Sequence, residues 1–128
     1  MKQKGLEEKV TFTGFVSEEA KVALYNMATV YAFPSLVEGF GLPVLEAFAC
    51  GTAVVTSNVT AMPEVAGDAA VLVDPKSVDA LTTGIQKVLT DDTFRKDLET
   101  KGLARAREFT WEKTAMNMLS VYEKAVKQ

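Results

Sequence analysis

The chain contains no histidine. That removes the side chain most often used as a general base or metal ligand near neutral pH. It has one cysteine, Cys50, so no internal disulfide can form, and a reducing compartment suits it. No basic run stands out and the net charge is −3, which makes nucleic acid a poor partner. No apolar run reaches the roughly 18 residues that a membrane span requires. The opening segment MKQKGLEEKV lacks the apolar core of a secretory leader. The cytoplasm is therefore the expected location.

What is present is a globular composition. The 128 residues are 48% hydrophobic and 24% charged, enough for one domain with a real core. Apolar β-branched runs alternate with helical patterns. Strands are expected at Val10–Thr13, Val30–Phe33, Ala53–Thr56 and Ala70–Val73. Ser17 reads as the N-cap of a helix reaching about Met27, with Glu18 and Glu19 suiting the dipole of its first turn. Pro43–Ala49 is a helix with proline in its first turn and Gly51 just past its end. A short helical turn begins at Pro63–Val65. Ser77 caps a helix reaching Leu89, and Asp91 or Asp92 caps the next, with Phe94, Leu98 and Leu103 on its apolar side. Thr110 caps the last, where Trp111, Ala115, Met118, Leu119 and Tyr122 recur at helical spacing. Alternation of apolar strands and helices indicates α/β architecture: about four parallel strands with flanking helices.

The segment Pro34–Gly51, PSLVEGFGLPVLEAFACG, carries the chemistry. Ligands of open parallel sheets sit at the carboxyl ends of the strands, and the Gly39–Leu42 turn lies there. Side-chain-free Gly39 and Gly41 let a ligand approach the backbone N–H groups. With the helix N-terminus those groups would stabilise a phosphate. Glu38 is suited to accept hydrogen bonds from sugar hydroxyls. Glu46, one turn into the helix, could accept them from a vicinal diol such as a ribose. Each residue also has a plainer reading. Glu46 suits the helix dipole, Glu38 could be a solvated loop carboxylate, and a lone G-x-G serves turn geometry. Phe40 and Leu42 read as packing residues that offer backbone groups. Cys50 reads as a small buried apolar residue, the Trp111 stripe as core, and the basic residues between Arg95 and Arg107 as a solvated face. The combination favours the functional reading.

These residues resemble the C-terminal domain of retaining GT-B glycosyltransferases of family 4. EGFGLPVLE at Glu38–Glu46 looks like that family's paired-glutamate motif, with seven residues between the acids. FPS at Phe33–Ser35 precedes it and AxxCG at Ala47–Gly51 follows. PEVAGDAAVLVDP at Pro63–Pro75 and FTWE at Phe109–Glu112 also fit. The resemblance implies a partial Rossmann-like domain that binds a nucleotide-diphosphate sugar, transferring mannose or glucose with retention, with no cofactor and no obligatory metal. It implies that Glu38 contacts the donor sugar as the candidate catalytic residue. Ser35 and the backbone of Gly39, Phe40, Gly41 and Leu42 would meet the sugar and diphosphate. Glu46 would meet the ribose, and Gly14, Phe15 and Val16 would lie near the base. A full-length enzyme of this kind could be membrane-peripheral.

Two departures qualify the resemblance. Many relatives carry a glycine pair where this chain has Val59-Thr60-Ala61. Set beside a complete enzyme of that family, the chain is expected to lack the N-terminal, acceptor-bearing domain and the first two strands of the C-terminal one, with the basic residues that would pair with the diphosphate. The expected gap between Val10–Thr13 and Val30–Phe33 should then be closed by those strands pairing or by a second chain. The last helix should expose apolar surface, favouring a homo-oligomer. A non-catalytic interaction module on the same partial fold is the competing reading. A sugar-nucleotide epimerase would need catalytic groups that the sequence does not supply.

Overall fold

Residues 5–126 are described in a computed structural model of the chain. The expectation about the leader segment falls partly on residues 1–4, outside that range. A single 3₁₀ turn at Glu7–Lys9 precedes an extended stretch. Ser17 is extended, and its Oγ accepts the Ala20 N–H at 3.3 Å, which starts α1, Glu18–Met27. Strand β1, Tyr31–Phe33, follows, then α2, Leu42–Ala49; β2, Val54–Ser57; α3, Met62–Ala66; and β3, Ala70–Val73. Ser77 and Asp91 cap α4, Val78–Thr90, and α5, Asp92–Ala106, through side-chain oxygens. Thr110 does the same for α6, Trp111–Val126, by accepting the Lys113 N–H at 3.2 Å.

The three strands pair in parallel in the order β1-β2-β3, with Tyr31 opposite Val54 and Val54 opposite Ala70. All four β2 residues are buried, as a central parallel strand covered on both faces requires. Alternate residues point to opposite faces, and two cores result. Val54 joins Tyr25, Val44, Phe48, Met62 and Val65 on one side. Val55 joins Val73, Val88 and Leu98 on the other. Helix α4 approaches the second face closely at Gly84, where an added Cβ would lie 3.2–3.3 Å from valine methyls of all of Val55, Val71 and Val73. Helix α5 touches both cores. Its Leu98 is buried in the second, and its Gly102 packs on the Phe48 ring of α2. Arg105, near the end of α5, donates to the carbonyl oxygens of Glu64 and Val65 and so covers the C-terminal end of the short helix α3.

Three expectations need correction. Val10–Thr13 is extended at Val10 but forms no ladder, so the sheet has three strands rather than four. The reason is non-local: an extended segment becomes a strand only where a partner offers its hydrogen-bonding edge, and no strand among the described residues lies beside this one. It does not close onto β1 either. The Trp111 stripe is not core. No residue of α6 is buried, and its Trp111, Met118, Leu119 and Tyr122 are all exposed. The separate expectation that the last helix exposes apolar surface describes what is seen. Cys50 is half-buried rather than buried, packed at the margin of the first core. Among the described residues no helix is long and apolar enough to cross a membrane.

Candidate functional site

The loop after β1 is tied internally and to its neighbour. Ser35 Oγ donates to Glu38 Oε1 at 3.0 Å and to the Val37 carbonyl at 3.2 Å. The Glu38 N–H donates to Thr60 Oγ1 at 3.3 Å, joining the loops that follow β1 and β2. Both loops lie at the carboxyl end of the parallel sheet, where such folds place ligands. Thr60 is the only non-glycine residue with positive φ among the described residues, at 55°. A β-branched side chain there is strained. It sits where the sequence departs from the glycine pair of the resembled family.

Beyond Glu38 the chain turns through Gly39 and Phe40 to Gly41, the N-cap of α2, which has φ 103° and no side-chain capping bond. Among the described residues, the N–H groups of Gly39, Phe40, Gly41 and Leu42 find no acceptor. They form a run of unpaired donors leading onto the positive end of a helix dipole. The two glycines have different reasons. Gly41 is fixed by the fold itself, through its left-handed backbone and its contact with Met62. An added Cβ at Gly39 would meet nothing within 4 Å, and its φ is ordinary, so neither crowding nor geometry in the chain demands glycine there. The Phe40 ring packs edge-on against Phe109, with centroids 5.9 Å apart, as the packing reading expects.

Glu46 is more occupied than the sequence indicates. Lys21 Nζ donates to its Oε1 at 3.0 Å and also pairs with Glu18 at 2.8 Å. Tyr25 Oη donates to Oε2 at 3.2 Å. Lys21 and Tyr25 stand one helical turn apart on α1, so a single face of that helix grips the carboxylate. The Glu18 and Glu46 carboxylates hold the Lys21 ammonium above its ordinary value. Burial pushes the Tyr25 hydroxyl up strongly, with Tyr31 and the Glu46 charge adding to it. Burial likewise raises Tyr31, and the charges of both Glu46 and Glu38 act in the same direction. Tyr31 thus lies within the field of both acids.

The structure therefore forms two small groups, Ser35–Glu38–Thr60 and Glu46–Lys21–Tyr25, with the unpaired amides of Gly39–Leu42 between their acids in the chain. Gly14 and Phe15 are exposed and Val16 is half-buried. Among the described residues no side-chain hydrogen bond joins these three to either group. An apolar groove of about 370 Å³ borders Glu46, lined by Phe40, Leu42, Leu45, Phe109 and Trp111. Among the described residues no three His, Cys, Asp or Glu side chains gather as a metal site would need. Sequence reasoning missed Lys21, Tyr25 and Thr60. The available signal for the first two was their spacing on one face of α1.

The sequence profile of the family described as "Glycosyl transferases group 1" matches residues 1–105. Over 114 residues the chain is 43% identical to the O-antigen chain mannosyltransferase B of Escherichia coli, an alignment that covers 89% of this chain and 30% of that protein. The fold superposes on sucrose-phosphate synthase from Thermosynechococcus elongatus with a TM-score of 0.86 and 32% identity, covering 98% of this chain and 32% of that one. It also superposes on the C-terminal domain of a glycosyl transferase group 1 family protein from Francisella tularensis, with a TM-score of 0.73 and 30% identity over 84% of this chain and 56% of that one. The chain spans about a third of the length of the mannosyltransferase it matches.

Proposed function

The chain belongs to the glycosyl transferases group 1 family, and from that premise we propose that it is the donor-binding part of a retaining GT-B enzyme of family 4. Its donor is a nucleotide-diphosphate sugar, and mannose is the preferred transferred group, glucose the alternative. The name of the Escherichia coli relative supports mannose. The observation that carries the reading is the run of four acceptor-less amides from Gly39 to Leu42, set between Glu38 and Glu46.

In this reading the amides and the N-terminal end of α2 bind the diphosphate. They stabilise the negative charge that develops as it leaves the anomeric carbon. Glu38, its carboxylate oriented by Ser35 and its backbone N–H held by Thr60, accepts hydrogen bonds from the donor sugar and faces the reacting carbon. Glu46 reads the ribose, and Gly14–Val16 border the base. No metal or other cofactor is required. In this reading the acceptor half and the basic partners of the diphosphate correspond to the part of the mannosyltransferase's length that this chain does not span, so this chain alone binds donor but transfers little or no sugar. The exposed face of α6 and the open edge of β1 are surfaces that such a remainder, or another copy, would cover. A cytoplasmic or membrane-peripheral setting suits the single thiol.

Calorimetric titration of the chain with GDP-, UDP- and ADP-sugars tests the reading. At least one should bind, and Glu46→Ala should weaken it about 10- to 100-fold, the effect of losing charge-assisted hydrogen bonds of roughly 1.5–3 kcal/mol. Failure of every donor to bind would leave a non-catalytic interaction module as the better description.

A further inference from the structure

The grip on Glu46 gives it a definite number of remaining hydrogen-bond sites. An ionised carboxylate has about four lone-pair sites, two on each oxygen. Here Oε1 receives one donor, from Lys21, and Oε2 receives one, from Tyr25. One site per oxygen is left, a pair whose spacing suits two adjacent hydroxyl donors. We propose that Lys21 and Tyr25 are positioning residues that orient Glu46 to read a cis-diol, and that they set the site's preference for ribo- over deoxy-nucleotides. The inference rests on the donor-binding reading above and adds to it two residues that touch no ligand themselves.

The two grips differ in kind. Tyr25 is buried and wedged edge-on against Tyr31, with ring centroids 5.0 Å apart. Thr52 Oγ1 also donates to the Tyr25 carbonyl at 2.7 Å, fixing the end of α1 on which Tyr25 stands. Its hydroxyl is therefore a rigid donor. Lys21 is partly exposed and shared with Glu18. Its charge also offsets that of Glu46, which would otherwise repel a diphosphate held nearby by the α2 amides. Tyr25 fixes the direction of the carboxylate, and Lys21 keeps the acid compatible with an anionic ligand.

The experiment titrates the chain with UDP and GDP and with the 2′,3′-dideoxy form of each, in the wild type, Tyr25→Phe, Lys21→Met and Lys21→Arg. The wild type should bind one of the diol forms about 10-fold or more tighter than its dideoxy form, as two hydrogen bonds to a charged acceptor imply. Tyr25→Phe should cut that preference severalfold while leaving affinity for the dideoxy form nearly unchanged. Lys21→Met should lower the preference and weaken both forms, and Lys21→Arg should restore most of the loss. Circular dichroism and melting curves confirm that each variant is folded. An unchanged preference in Tyr25→Phe and Lys21→Met overturns the inference and leaves the donor-binding reading intact. So does equal weakening of both forms by Tyr25→Phe, which a merely structural tyrosine would give. Binding without any diol preference in the wild type also overturns it alone. No binding of any nucleotide overturns both.

Discussion

Gly41 and Met62 approach so closely that a Cβ on the glycine would stand 2.2 Å from Met62 Cε. The same glycine has φ 103° at the N-cap of α2. Gly41→Ala therefore meets a strained backbone and an occupied space together, and only the second can be relieved by rotating the methionine. The expected cost is about 1–3 kcal/mol, read as a lower urea midpoint. Gly39→Ala, with open space and ordinary φ, should stay within about 0.5 kcal/mol of wild type. Because it hinders approach to the amides, it should still weaken nucleotide-sugar binding.

Thr60 stores strain where the resembled family has glycine. Asparagine tolerates the left-handed region and keeps a side-chain oxygen in reach of the Glu38 amide. Thr60→Asn should raise stability by about 1 kcal/mol, seen as a higher melting temperature. A melting temperature equal to or below that of wild type would mean that the φ of 55° is not costly.

Within a helix, glycine to alanine ordinarily gains about 1 kcal/mol. Gly102 should show the reverse. An added Cβ there would lie 2.8 Å from Phe48 Cδ1, and Phe48 is fully buried. The ring has little freedom to yield, so Gly102→Ala should lose about 1–3 kcal/mol. Denaturant titration of this variant beside Gly102→Ala/Phe48→Leu should show the smaller side chain recovering part of the loss.

Alkaline pH should destabilise the fold through Tyr25, which is buried, and Tyr31, which is half-buried. Tyr25 and Tyr31 both have folded-state values raised, chiefly by burial. An unfolded chain releases these protons near pH 10 while the folded one retains them. The stabilisation is thus complete below about pH 10 and is lost as pH rises beyond it. Urea midpoints measured from pH 8 to 11 should be flat and then fall. Tyr25→Phe should make that fall shallower.

Helix α6 carries Met116, Met118, Leu119, Val121 and Tyr122 in exposed positions. An apolar surface of this extent favours association. Light scattering should show an average mass that rises with concentration, and Met118→Lys/Tyr122→Lys should hold the chain monomeric. A strictly monomeric wild type would exclude this surface as a self-association site.

The parts of this fold legible in the sequence are the ones decided locally. Ser17, Ser77, Asp91 and Thr110 are helix caps because their side-chain oxygens reach an amide three residues on. The Ala70–Val73 strand has the bounds its apolar run indicates. Val10–Thr13 has a strand's composition but no partner, and composition carries no information about partners. The Trp111 stripe likewise defines a helix face without saying what covers it. At the site, the loop from Ser35 to Glu46 is contiguous and could be read directly. The grip on Glu46 comes from α1, more than twenty positions away, so it appears only once the helices pack. Gly39 and Gly41 look alike in sequence, and it is the left-handed backbone of Gly41 together with the position of Met62 that separates their roles.

Each ladder in the sheet joins a strand to the next one in the chain, β1 to β2 and β2 to β3. Among the described residues no strand pairs with one further along the chain than its neighbour, which shortens the loop closure that usually slows parallel pairing. The sheet can be laid down in the order in which the polypeptide is synthesised, each βαβ crossover completing on the last. Helices α4 and α5 then close over that platform, α4 on β2 and β3 and α5 reaching back to α2.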